Sequence, residues 1–134
     1  MSRQLLKKIY LNFIIIAGVV SLLLLCFFYY LNIYGLLGFW LGAFSYMLNF
    51  SIRSILIQKQ KLTNKKSVVL SNTIVNICLT LLVGLIFLAA LFLNVYFNKL
   101  DASIIEKVSY PFNIFTYFIG ILVLPISIIF IKKN

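Results

Sequence analysis

A chain of 134 residues that is 63% hydrophobic and only 10% charged cannot clothe a water-exposed globule in polar groups, so lipid must be its solvent. Its net charge of +10 lies in the gaps between apolar runs, as topology signals and contacts for anionic lipid headgroups do. No basic, aromatic-interleaved soluble segment exists to carry nucleic-acid binding, and the length leaves room for one integral membrane domain, 1–134, with no separate soluble part.

The first run without charge extends from Ile9 to Ile52, between Lys8 and Arg53. One crossing takes about 20 residues, so this run holds two helices, roughly 9–30 and 34–57. The break falls near Tyr29, Tyr30, Leu31, Asn32, Ile33, Tyr34 and Gly35, where Asn and Gly favour a turn and tyrosines suit a membrane–water interface. Arg3, Lys7 and Lys8 ahead of an apolar run resemble a signal peptide, but the run is too long and has no small-residue cleavage site. Leu25 before Cys26 likewise argues against a lipoprotein site, where a small residue is expected.

A short basic connection, 58–66, leads to a third helix of roughly 68–98, longer than one crossing requires and polar at its start. A polar loop from Lys99 to Tyr110 carries Asp101 and Glu106, the only acidic residues. Pro111 is expected in the first turn of a fourth helix, roughly 111–131, where its missing N–H costs nothing; Pro125 is placed to kink that helix. The fold class is therefore all-α membrane: a four-transmembrane-helix bundle of two helical hairpins.

Ten of the 12 basic residues fall on one side of such a bundle: Arg3, Lys7, Lys8, Arg53, Lys59, Lys61, Lys65, Lys66, Lys132 and Lys133. Only Lys99 and Lys107 fall on the other. The positive-inside rule then puts both termini in the cytoplasm of a bacterial plasma membrane.

Chemistry has little to work with. The chain has no His, its two carboxylates sit in a connecting loop, and the hydroxyls within helices have no base partner, so no enzyme and no cofactor are expected. Cys26 and Cys78 read as small polarizable fillers of a membrane interior, with no metal site. Proton and cation pathways usually need an ionisable residue within the membrane, and the apolar runs contain none.

Two polar faces remain. In the second helix Gly35, Gly38, Gly42, Ser45, Asn49 and Arg53 recur at steps of three or four residues and fall within roughly 80° of arc. Gly38 and Gly42 form a GxxxG pair that admits close backbone approach. The opposite face, including Phe39, Trp40 and Tyr46, is bulky. The glycine face either receives another helix of the same bundle or docks a different membrane protein. In the third helix Asn72, Asn76, Thr80 and Gly84 stand four residues apart, and their amides are costly against lipid. Hydrogen bonding across to Asn49 or Ser45 is one solution; partner contact or a hydrated cavity is the other.

The segment GFWLGAFSYMLNF, with Gly38, Gly42, Asn49 and Phe50, followed by Arg53, resembles the second helix of the ATP synthase protein I family, small membrane proteins of bacterial F-type ATP synthase operons. Length, four helices, a basic second connection and Gly120 with Pro125 in the last helix agree with that family. The resemblance implies a non-catalytic assembly factor that helps the rotor ring of c subunits assemble by helix–helix contact, with the c subunit and other membrane-sector subunits as partners. It also raises a role in magnesium supply; the alternative reading of the chain is a small transporter or channel subunit for an ion, for example magnesium, or a neutral solute. A hard cation wants oxygen ligands, and no buried carboxylate is present to supply them.

Overall fold

The computed structural model describes residues 3–27, 32–60, 65–98, 101 and 103–131. Within them the chain forms α1 (Arg3–Phe27), α2 (Asn32–Gln60), α3 (Lys65–Phe97), the short α4 (Ile104–Ser109) and α5 (Ile114–Ile131). No strand occurs among the described residues. Helices are the outcome that lipid enforces, since an α-helix satisfies its own backbone where no water can. Four stretches are long and apolar enough to cross a membrane: Gln4–Cys26, Ile33–Ile57, Thr73–Phe97 and Ile104–Ile131. The chain is a four-span helical bundle.

The element boundaries differ instructively from those read from sequence. α1 continues through Lys7 and Lys8 to Arg3, because long basic side chains can lie along a helix that leaves the apolar layer. Tyr29, Tyr30 and Leu31 of the expected break, residues 61–64 of the basic connection, and Lys132 and Lys133 lie outside the described residues, while 58–60 and 65–66 of that connection belong to α2 and α3. Pro111 does not open the last helix. Asn113 does: its Oδ1 accepts from the N–H groups of Phe115 (3.0 Å) and Thr116 (3.3 Å), so an N-cap side chain outcompetes a proline two residues earlier. α5 is helical through Pro125, which has no N–H to offer the Ile121 carbonyl.

The expected polar loop also contains a helix. Ser103 caps α4 by accepting from Glu106 N–H at 3.3 Å, while the Glu106 carboxylate accepts from Ser103 N–H at 2.8 Å. This reciprocal capping box satisfies two orphan donors at once and uses one of the two acidic residues of the chain. Ile104 and Ile105 are among the most exposed side chains, as befits a turn lying at a membrane–water boundary.

α1, α2 and α5 pack as a trio. Ile9, Phe13, Ala17 and Leu24 of α1 repeat at near-fourfold spacing and meet Phe39 and Ala43 of α2 and Val123 and Leu124 of α5. α3 is peripheral: 11% of its span is buried against 39% of the second. It is tied at the end remote from the termini. There the fully buried Asn94 donates to the Phe112 carbonyl at 2.7 Å and accepts from Phe112 N–H at 3.0 Å. Asn98 donates to the Tyr110 carbonyl at 2.9 Å. The same end is closed by Asn113 N–H donating to the Tyr34 carbonyl (3.2 Å) and by the edge-on Tyr34–Tyr110 ring pair, 4.5 Å apart.

Asn94→Leu keeps the branching of the side chain but strands both Phe112 backbone groups, each worth about 1–3 kcal/mol when buried without a partner. The expected outcome is a lower thermal midpoint for the detergent-solubilised protein and faster proteolysis within residues 99–112.

Candidate functional site

The glycine face of α2 is where the bundle is tightest. Gly35, Gly38, Gly42, Ser45 and Asn49 are buried, and Arg53 is half-buried. A Cβ built on Gly42 would fall on the Tyr117 carbonyl, and one on Gly38 on the Asn113 carbonyl and 2.7 Å from Thr116 Oγ1. At Gly35 the same test meets only Thr116 Cγ2 at 3.7 Å, an ordinary contact. The approach is reciprocal: a Cβ on Gly120 of α5 would strike the Phe39 carbonyl and lie 2.8 Å from Ala43 N. Glycines on both helices therefore bring two backbones into direct contact, the arrangement that replaces the hydrophobic effect as a source of association in lipid. Of the two readings open for this face, packing within the bundle is the one observed: α5 fills it.

Gly120 shares a row with Thr116 and Ser127 at steps of four and seven residues, but nothing in that spacing names α2 as its counterpart. Phe39 departs from the expected bulky face opposite the glycines. It is fully buried beside Ala43, because α5 and α1 together cover more of α2 than the glycine arc alone. Phe44 and Leu48 make the outward side instead.

Polar groups extend this contact toward α3. Tyr117, 1% exposed, reaches from α5 between its neighbours. Its hydroxyl donates to the Val83 carbonyl of α3 at 3.3 Å and stands 3.5 Å from Ser45 Oγ, which itself donates to the Gly42 carbonyl at 2.9 Å. Two hydroxyl protons thus serve three contacts, so the Ser45–Tyr117 approach is the weak one. Phe87 of α3 packs on the Tyr117 ring, centroids 5.6 Å apart. Asn49 donates to the Leu79 carbonyl at 3.3 Å. Each such bond is worth about 0.6–2 kcal/mol, enough to fix register.

The α3 stripe behaves otherwise than the expected bonding to Asn49 or Ser45. Asn76, Thr80 and Gly84 are exposed, and the Thr80 hydroxyl turns back to the Asn76 carbonyl of its own helix at 2.8 Å. The Asn72 side chain lies outside those described. Residues four apart advance by about 40° around a helix, so the row swings from the side of Leu79 at Asn76 to the outer side at Gly84. What faces α2 and α5 is Leu79, Val83, Phe87 and Asn94, and the partners of Asn49 and Tyr117 are backbone carbonyls. A Cβ on Gly84 meets nothing within 4 Å. At the other end of α2, the Arg53 Nε is buried with no hydrogen-bond partner among the described residues.

Among the described residues, the groups gathered here are backbone carbonyls, hydroxyls and amides that join one helix to another. Comparison with protein-family models, with curated proteins and with solved structures finds no match to this chain.

Glycine-to-alanine changes separate the two kinds of position. Gly42→Ala and Gly120→Ala force the backbones apart and are expected to cost about 1–3 kcal/mol. Gly84→Ala, facing open space, is expected to be neutral or stabilising by up to about 1 kcal/mol through helix propensity. Thermal unfolding of the three purified variants in one detergent reads the difference.

Proposed function

We propose that the chain is a non-catalytic assembly factor of the bacterial F-type ATP synthase, held in the plasma membrane with both termini cytoplasmic, that assists formation of the c-subunit rotor ring by helix–helix contact. Support for the rotor ring comes from the α2 segment GFWLGAFSYMLNF and its following Arg53; the orientation rests on the ten basic residues gathered on one side.

One observation carries the docking role and relocates it. The glycine face of α2 is occupied by α5, whereas α3 leaves most of its span uncovered and presents Asn76, Thr80 and Gly84 outward. An amide in a membrane span is costly against hydrocarbon, and an open glycine admits a neighbouring backbone. The exposed side of α3 is thus the surface that a second helical protein completes. Glycine-rich c-subunit hairpins, which the family resemblance implies as partners, offer a backbone close enough to take the amide's hydrogen bonds.

Leucine at Gly38 and Gly42 is no clean test, because it breaks the bundle itself. The discriminating variant is Asn76→Leu with Thr80→Leu and Gly84→Leu, all on exposed positions. It is expected to insert and to unfold at the wild-type temperature while losing about tenfold or more in c subunit recovered by pull-down, the loss of one or two interhelical polar bonds with their packing. Undiminished recovery of c subunit from this variant would sink the docking face. Normal rotor-ring assembly in cells lacking the protein would sink the function.

A further inference from the structure

A groove of about 280 Å³ lies between α1 and α5 at the end of the bundle that holds both termini, lined by Lys8 and Asn12 of α1 and by Phe130 and Ile131 of α5. It runs on into a second depression of about 210 Å³ that shares Asn12 and Phe130 and passes Ile15 and Ile16. We propose that this groove is a binding site for one phospholipid with a net negative headgroup.

The order of chemistry along the groove matches such a lipid. Lys8 and Asn12 are one helical turn apart, so their Cα atoms are separated by about 6 Å along the axis, and both face the same side. Below them the lining is apolar, and Ile15 and Ile16 stand well inside the span Gln4–Cys26. A cation, an amide and then hydrocarbon follow one another from the end of the bundle inward. They correspond to phosphate, glycerol ester and acyl chain. Lys8 supplies charge to the phosphate, and the Asn12 amide, which makes no hydrogen bond to another described residue, supplies donors to the ester carbonyl.

Selection for negative charge follows from what surrounds the groove. Lys8 is the one charged residue of its lining. Both acidic side chains of the chain, Asp101 and Glu106, belong to the connection at the opposite end. No side-chain carboxylate is therefore at hand to receive the ammonium of a zwitterionic headgroup, while an anionic one meets the Lys8 ammonium. The site is independent of the α3 surface and of any role in rotor assembly.

The test uses the full chain, stripped of native lipid and reconstituted into nanodiscs of mixed phosphatidylcholine and phosphatidylglycerol, with tightly held lipid counted by native mass spectrometry. The wild type is expected to retain one phosphatidylglycerol, enriched about five-fold over its bulk share, as about 1 kcal/mol of lysine–headgroup attraction gives. Lys8→Gln and Asn12→Leu should each return retention to the bulk ratio. Lys7→Gln removes the same charge about 100° around the helix and should leave the enrichment in place. Thermal unfolding of each variant confirms that the bundle is intact. No enrichment in the wild type, enrichment unchanged in Lys8→Gln, or equal loss in Lys7→Gln overturns the site.

Discussion

The bundle depends on the meeting of two backbones, α2 at Gly38 and Gly42 and α5 at Gly120. In water, burying leucines would hold these helices together. In lipid the hydrocarbon outside is as apolar as the hydrocarbon inside, so burial gains little and close packing must supply the attraction. Removing side chains at three positions lets main-chain atoms touch, and dispersion contacts accumulate along the seam. The larger side chains Phe39, Ala43, Val123 and Leu124 then fill the space on either side, against α1.

That seam also sets where polar groups can go. Because α5 lies directly on α2, Tyr117 cannot point into their contact and is directed along its edge toward α3, where its hydroxyl finds the Val83 carbonyl. Thr116, one residue earlier, satisfies its own hydroxyl on the Asn113 carbonyl at 2.9 Å and presents its methyl group to Gly35. Asn113 in turn caps α5 and reaches the first turn of α2 through its N–H. Cap, seam and tether follow from one geometric constraint, with no ion pair needed.

Much of this was legible in the sequence. Apolar runs of the right length located all four spans, and the three-and-four spacing from Gly35 to Asn49 identified a face that is indeed buried. The identity of its neighbour was not legible, because periodicity reports which side of a helix is special and not what lies opposite. The α3 row misled for a related reason. A row at strict fourfold spacing drifts around the helix, here by about 80° from Asn76 to Gly84, and polarity alone does not say whether such a row turns inward. Asn49 and Tyr117 bond to main-chain carbonyls, which every residue carries and no composition reveals. α4 could have been found: Ser103 followed three residues later by Glu106 is the capping-box signature, obscured by reading the segment as a polar loop.

The contrast between α3 and the other spans bears on the role proposed above. α1, α2 and α5 are joined by continuous packing, so separating any one of them breaks many contacts at once. α3 is held by discrete polar tethers at Leu79, Val83 and Asn94, all on one face, together with the Phe87–Tyr117 ring contact. Those positions span about 22 Å of helix axis. Tethers of this kind fix the rotation and height of a helix while covering little of its surface. A protein meant only to be stable would gain by burying that helix too. The docking role proposed above asks for a polar, glycine-bearing helix held in register with one side left open, and a tight trio with an oriented fourth span is suited to it.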